Sequence, residues 1–329
     1  ADPRTRGRRG GEGSDGECGE AVALTPWRCA QARARAGTIA GVPLDVAAVV
    51  VTYNSEDRIE ALLASLPAAM GDLSYSVVVV DNGSIDGTVA LLEGRTDCTV
   101  VRSTNVGYAG GMNRAVKASP PSKTVLILNP DSVLDPGCVP AMSRVLEAPE
   151  VTVVAPRVRE EDGSLSPTLR RGPTFLRVGG LSFTGRPAFS ERIEDPREYE
   201  LEHEVEWAVG AILLIDRARY EALGGMDESY FLYSEETDFS LRAKDRGWIT
   251  VYTPAAGAMH VGGASGESST THTMKVLNRV RLYRRRAGKI RAVFYFWGVV
   301  LIELRRAVLG HGKSWGTIRA LVRPSQRPA

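Results

Sequence analysis

Residues 46–67 read VAAVVVTYNSEDRIEALLASLP. The first six are apolar and mostly β-branched, without polar alternation. Such a run predicts a strand covered on both faces. Ile59, Leu62, Leu63 and Leu66 then recur at helical spacing, with Ser55 the expected N-cap and Pro67 the expected end. A buried strand feeding an amphipathic helix is the repeating unit of an α/β fold.

The unit recurs downstream. YSVVVVDNGSIDGT (75–88) predicts a second buried strand and a polar turn in which Asp86 caps the next helix. CTVVRS (98–103) predicts a short third strand, and NVGYAGGMNRAVKAS (105–119) a glycine-rich loop opening a helix. KTVLILNPD (123–131) is a fourth strand, DPGCVPAMSRVLEA (135–148) a helix with Pro136 in its first turn, and VTVVAP (151–156) a fifth strand. Strands alternating with helices predict a parallel, doubly wound sheet. Such sheets bind ligands outside the carboxyl ends of their strands. Thr52 and Asn54, Asp81 and Asn82, Asn105, and Asn129 and Asp131 all fall there. Turn propensity explains any one of these clusters, and four successive strand ends less well.

The pattern weakens over residues 157–204, which read as a long substrate-facing loop. Regular structure resumes with a strand at 211–215, a helix at 217–223, a turn at Gly224-Gly225, a helix at 236–245 ended by Gly247, and a strand at 248–252.

Charge divides the chain. Residues 279–329 carry 13 Lys/Arg and one acid, Glu303, a net of +12 in a chain whose total is +2. A basic tail of this kind predicts an anionic partner. Its apolar run, Val293 to Leu304, would span roughly 18 Å as a helix against roughly 30 Å of bilayer hydrocarbon. It is too short to cross. It can lie in an anionic membrane interface, or pack on its own domain or a second subunit as a homodimer contact. No nucleic-acid recognition motif accompanies it. Cys18, Cys29, Cys98 and Cys138 form no CxxC pair, and the first 20 residues lack an apolar signal core. The expectation is a reduced, cytoplasmic setting, peripheral to the inner face of the cell membrane if the tail meets lipid. The expected organisation is a low-complexity segment (1–42) in which Trp27 alone docks, a main domain (43–270) with halves 43–156 and 157–270, and a basic helical extension (271–329).

Three groups can do chemistry. Asp131 ends a strand behind a proline; it is either a turn residue or one oxygen ligand of a divalent cation whose other ligands are substrate phosphates. His260, in MHVGG, is either a structural histidine or a second ligand. Glu235, Glu236 and Asp238 cluster where a helix begins. The macrodipole favours acids there, and clustered carboxylates can also supply a general base. Gly107, Gly110 and Gly111 match neither the Walker nor the dinucleotide-binding pattern, although their backbone can approach a diphosphate.

In order, VVVTYNS, VVVVDNGSIDGT, NVGYAGGMN, LILNPDSVL, GAILLIDR, LGGMDESYFLYSEETDFSLRAKDRGW and MHVGGASG resemble the inverting family 2 glycosyltransferases of GT-A fold, in their bacterial rhamnosyltransferase-like branch. The resemblance covers residues 46–266. It implies an α/β fold with a Rossmann-like mixed sheet and flanking helices. Thr52, Tyr53, Asn54, Asp81 and Asn82 would hold the base and ribose of a dTDP- or UDP-sugar. Asn105, Gly107, Asn113 and Asn129 would line the diphosphate region. Asp131 and His260 would bind Mn²⁺ or Mg²⁺. Glu236 would be the catalytic base, in a Glu-Glu-Thr-Asp sequence where the family usually has Glu-Asp-x-Asp, with Glu235 and Asp238 in support. Trp207 and Gly210 would face a glycan or lipid-linked acceptor. Two other readings are a sugar-phosphate nucleotidyltransferase, which lacks its expected triphosphate loop here, and an inactive nucleotide-sugar-binding or membrane-scaffold protein, favoured only by Glu at position 236.

Overall fold

The computed structural model describes residues 42–178, 184–261 and 268–323. The stretch containing Trp27, Cys18 and Cys29, and the glycines that follow His260, lie outside the described residues.

The opening unit forms as its sequence predicts. β1 (Leu44–Thr52) is buried from Val46 onward, and α1 (Ile59–Met70) lays Ile59, Leu62, Leu63 and Leu66 against it. Each such aliphatic side chain contributes about 1.5–3 kcal/mol on burial. Two local expectations fail. The Ser55 side chain does not cap α1; its carbonyl accepts the Arg58 and Ile59 N–H groups instead. Pro67 does not end the helix. It sits on the exposed face, while Ala69 and Met70 beyond it are buried, so packing of the final turn outweighs the lost hydrogen bond.

β2 (Tyr75–Asp81), α2 (Thr88–Glu93), β3 (Thr99–Arg102), α3 (Gly107–Ala118) and β4 (Ser122–Leu128) follow. β1, β2, β3 and β4 are mutually parallel in the order β3-β2-β1-β4. Asp86 does accept from the Thr88 N–H at 3.1 Å at the mouth of α2. Beyond β4 the chain adds β5 (Ser132–Leu134), α4 (Cys138–Leu146) and β6 (Val151–Arg159). Cys98 and Cys138 are free and buried.

The sheet is not wholly parallel. β10 (Ile212–Asp216) inserts between β4 and β6 and runs antiparallel to both. β11 (Ile249–His260), much longer than the expected strand, runs parallel to β6 and antiparallel to β5. The result is a mixed nine-stranded sheet, and the two expected halves of the main domain share it.

The weakly patterned stretch is not one loop. It holds β7 (Leu169–Arg170), α5 (Phe175–Val178) and the start of β8 (His203–Val205), and β7 pairs with β9 (Trp207–Ala208), just beyond it, as a small second sheet. Tyr199 is fully buried there, and its hydroxyl bridges the Leu169 N–H and the Ile193 carbonyl. α6 (Arg217–Ala222) and α7 (Glu235–Asp245) complete the second of these halves.

The extension is helical, as its pattern predicts: α8 (Ser269–Arg286), α9 (Lys289–Val308) and α10 (Lys313–Val322). Their own core stacks Tyr283 on Tyr295 at 3.8 Å, with Val299, Val300 and Leu321. Glu303, which interrupts the apolar run in sequence, is buried and meets His272 at 3.0 Å. α8 docks onto the main domain through Arg285–Asp227 and Arg286–Asp245, and through Leu282 against Tyr230 and Leu241.

Candidate active site

Strand register assembles the first group of candidate residues. Thr52 lies opposite Asp81, and the Thr52 hydroxyl donates to the Asp81 carboxylate at 3.1 Å. That carboxylate also accepts the Gly83 and Ser84 N–H groups, so it organises the turn at the end of β2. Asn54 has a left-handed backbone (φ 54°), and its Oδ1 accepts the Ile85 N–H. Tyr53 stands exposed above this cradle. Asn82 donates to the Gly107 carbonyl, and its own Oδ1 is buried without a partner. Asn105 accepts the Gly107 N–H at 3.1 Å. Gly107 has φ +78°, and a Cβ there would run into the Phe231 carbonyl, so only glycine fits the start of α3.

The β11–β5 pairing sets His260 opposite Ser132, which brings its ring to the neighbouring Asp131. His260 Nε2 lies 3.2 Å from Asp131 Oδ2, and Arg58 is 3.7 Å from the same oxygen. Hydrogen bonding to Asp131 raises the His260 pKa. Asp131 Oδ1 is buried and unpartnered. A carboxylate oxygen with an open lone pair beside an imidazole is a fitting pair of ligands for a divalent cation. Among the described residues no third His, Cys, Asp or Glu joins them, so the remaining ligands would come from substrate and water.

Tyr108, which the sequence reading passed over, connects this side to the other. Its hydroxyl lies 2.8 Å from Asn129 Oδ1 and 3.0 Å from the Gly210 carbonyl. Burial raises its pKa well above the usual range, and Glu235, Glu236 and Asp131 raise it further. One phenol thus feels the candidate metal ligand and both candidate bases. Its signal in sequence is a lone aromatic hydroxyl inside a glycine-rich loop.

Glu235 and Glu236 open α7 directly after Tyr233 and Ser234, two non-glycine residues at positive φ (69° and 77°). Strain of this kind costs about 1–3 kcal/mol per residue and concentrates at functional sites. Asn278 of α8 holds it in place by donating to the Leu232 and Tyr233 carbonyls. Both glutamates have one buried, unpartnered oxygen. Burial raises the pKa of each; Glu236 raises that of Glu235 further, whereas local N–H groups, Arg170 and Lys275 pull Glu236 back down. Glu236 packs against Gly210, where an added Cβ would lie 3.3 Å from the Glu236 Cβ.

Glu236 faces a cavity of about 440 Å³, also lined by Trp207, Arg170, Tyr233 and Lys275. The Trp207 indole donates to the Arg171 carbonyl, and Arg170 lies over its ring at 5.8 Å. The C-terminal helices roof the cavity through Arg279, Val299 and Arg306. A larger groove, about 1190 Å³, runs between α8 and α9 and contains none of the candidate site residues.

Two expected site residues point elsewhere. Asn113 accepts from Tyr220 and the Met226 N–H and donates to Met226 and Glu228, which pins the turn at 224–228. Asp238 pairs with Arg242 at 2.6 Å, and Arg242 clamps the Leu223 and Gly225 carbonyls of the same turn. Both brace the site from behind.

Comparison with known proteins identifies the family and the fold. The sequence model described as Glycosyl transferase family 2 matches residues 47–220. An N-acetylglucosaminyl-diphospho-decaprenol L-rhamnosyltransferase of Mycobacterium tuberculosis is 32% identical over 229 residues, 64% of this chain and 74% of that protein. The fold is that of a mannosyltransferase from Pyrobaculum calidifontis in complex with GDP-Man and Mn²⁺ (TM-score 0.50, 18% identity, 86% of this chain and 82% of that one). It is also that of GalNAc-T7 with UDP, GalNAc and Mn²⁺ (TM-score 0.54, 14% identity, 74% of this chain and 48% of that one).

Proposed function

The chain belongs to glycosyl transferase family 2, and from that premise we propose that it is a metal-dependent, inverting rhamnosyl- or hexosyltransferase using a dTDP- or UDP-sugar. The acceptor is a hydroxyl of a lipid-linked or other glycan. The observation that carries this reading is Glu236: a half-buried carboxylate with one sealed, unpartnered oxygen, facing a cavity and packed on Gly210, whose carbonyl shares the Tyr108 hydroxyl with Asn129.

The chain's own residues account for the proton and the leaving group. The acceptor hydroxyl gives its proton to Glu236 as its oxygen bonds to the anomeric carbon. The bond from that carbon to the diphosphate breaks on the opposite face, and the electron pair leaves with the diphosphate. Asp131 and His260 would hold Mn²⁺ or Mg²⁺, which supplies Lewis-acid neutralisation of the departing charge when bound. Tyr108 fixes Asn129 relative to Gly210, and so sets the donor side against the base. The Thr52–Asp81 turn shapes the nucleoside cradle.

The test is a screen of UDP-, dTDP- and GDP-sugars with Mn²⁺ or EDTA, read by thermal shift and nucleoside diphosphate release. The expected result is a response to one donor, lost in EDTA. Release that is indifferent to EDTA would remove the metal from the reading, and silence from every donor would favour an inactive nucleotide-sugar binder.

α9 presents Ile290, Val293, Phe294, Trp297, Leu301, Leu304 and Val308 to solvent at helical spacing. Arg291, Arg305 and Arg306 lie on the same helix. No helix among the described residues is long and apolar enough to cross a membrane. An apolar stripe bordered by cations in a segment of net +12 matches an anionic bilayer surface, where each cation contributes roughly 1 kcal/mol. We assign this face to the membrane. Flotation with vesicles of phosphatidylglycerol should carry the protein upward, neutral vesicles should not, and Trp297→Ser with Leu301→Ser should abolish it. Concentration-dependent doubling of mass without vesicle binding would assign the face to a second copy instead.

A further inference from the structure

Residues 226–234 form neither helix nor strand, yet they join two parts of the site. At one end the Met226 carbonyl accepts from Asn113 of α3, and the Phe231 carbonyl accepts the Tyr108 N–H at 2.7 Å beside Gly107. At the other end Tyr233 and Ser234 turn at positive φ straight into Glu235 and Glu236. The Ser234 side chain makes no cap hydrogen bond to α7. Where that helix starts therefore depends on what holds the 226–234 segment.

α8 holds it. Lys275, Asn278, Arg281, Leu282 and Arg285 recur at helical spacing and so share one face of the helix. Lys275 Nζ lies 5.7 Å from the centre of the Tyr233 ring. Arg281 donates to the Ser229 carbonyl, Arg285 pairs with Asp227 at 2.6 Å, and both guanidinium groups lie over the Tyr230 ring. Solvent-exposed pairs of this kind add little to stability.

Asn278 differs. It is buried, and its amide donates to two successive carbonyls, Leu232 at 2.9 Å and Tyr233 at 3.3 Å. Two positive-φ residues in succession persist only where their surroundings hold them. Without the amide, rotation of Tyr233 and Ser234 back to negative φ relieves the strain and swings the first turn of α7. Gly107 and Tyr108 do not share this dependence. Asn82 and Asn105 hold Gly107, and Asn129 and Gly210 hold the Tyr108 hydroxyl. We propose that Asn278 is a positioning residue for the reaction: by pinning the Leu232 and Tyr233 carbonyls it fixes where Glu236 stands before the cavity. This role rests on the glycosyltransferase reading of Glu236. It makes the helical extension, which charge sets apart from the main domain, a working part of the reaction centre.

Asn278→Leu keeps the side-chain volume and the helix and removes both donors. It should lower kcat by about a hundredfold, as misplacing a reacting group by about 1 Å does, and leave the calorimetric Kd of the nucleotide sugar unchanged. Its rising pH limb should move to lower pH, because a displaced Glu236 loses burial, the largest influence on its pKa, ahead of Arg170 and Lys275, which act the other way. Asn278→Asp is the second variant should leucine prevent folding. It is closest in shape, faces both carbonyls with acceptors alone, and should show the same split between kcat and Kd. Arg286→Gln is the control: it breaks a docking pair with Asp245 at the far end of α7 and touches nothing in 226–234, so its kcat should match wild type. Wild-type kcat in either folded Asn278 variant, or an equal loss in Arg286→Gln, overturns the proposal. Hydrogen exchange at the Asp238 amide, which donates to the Ser234 carbonyl, needs no turnover. It should quicken in both Asn278 variants and hold in Arg286→Gln, and unchanged exchange overturns the proposal whether or not any donor reacts. Failure of the glycosyltransferase reading shows separately, as no nucleoside diphosphate release by the wild-type protein from any donor.

Discussion

Glu236→Gln is expected to lower turnover by about a hundred- to ten-thousand-fold, the usual contribution of a positioned general base. The amide keeps the shape of the side chain and its packing on Gly210, so nucleotide-sugar binding should stay within a few-fold of wild type. It cannot take a proton. Calorimetry of donor binding beside single-turnover product formation separates the two effects. The pH profile adds an independent check. Burial places the Glu236 pKa above the ordinary carboxylate range. The base works only when ionised, so kcat/KM should rise as pH increases through that raised value. The rising limb should vanish in Glu236→Gln. Glu235→Gln is the necessary companion, because its carboxylate is also buried with one open oxygen. Full activity in Glu236→Gln with loss in Glu235→Gln would move the base one residue.

Asp131→Asn is expected to remove most of the metal-stimulated rate. Lewis-acid stabilisation of a leaving diphosphate is worth several kcal/mol, so a loss of about a hundredfold or more follows. The side chain is close to isosteric, and the fold around β5 should survive. The amide has half the acceptor capacity and no charge, and it meets His260 at the same 3.2 Å position. Mn²⁺ titration in the presence of the nucleoside diphosphate, followed by electron paramagnetic resonance, should show tight sites in wild type and weak ones in the variant. Unchanged Mn²⁺ affinity would place the cation elsewhere. The contrast with Glu236→Gln is diagnostic, since that variant should keep Mn²⁺ and lose only the proton acceptor.

Much of this was legible in the sequence because buried parallel strands announce themselves. Val46–Val51, Val77–Val80 and Val125–Leu128 are unbroken apolar runs, and a strand covered on both faces needs no alternation. Their polar ends follow directly, so Thr52, Asp81 and Asp131 group together from the strand pattern alone. Partner choice was not legible. Ile212–Asp216 reads as a strand, yet nothing local says that it runs antiparallel between β4 and β6. Pro67 misled because its cost is local, while the burial of Ala69 and Met70 that offsets it depends on tertiary packing. Arg170 lay in a stretch without periodicity, and its position over Trp207 comes from the β7–β9 pairing. His272 and Glu303 meet only because α8 and α9 fold back on each other. Asn113 sits where motif position suggested contact with the diphosphate and Asp238 where it suggested a supporting carboxylate, and the hydrogen bonds show what both do: they keep the 224–228 turn in place.

The antiparallel strand at the centre of the sheet also governs how the chain can be made. During synthesis β4 and β6 leave the ribosome well before β10, and each carries an unsatisfied edge until Asp216 has emerged. Open edges of apolar strands template wrong pairings. The 43–156 half is therefore not a nascent folding unit that waits, finished, for the 157–270 half. It is a four-stranded platform whose last edge is closed by a segment from the other side of the site, and the same event that seals the sheet draws Ala211 onto the Asn129 N–H. Sheet closure and the placing of Asn129 thus depend on the same strand.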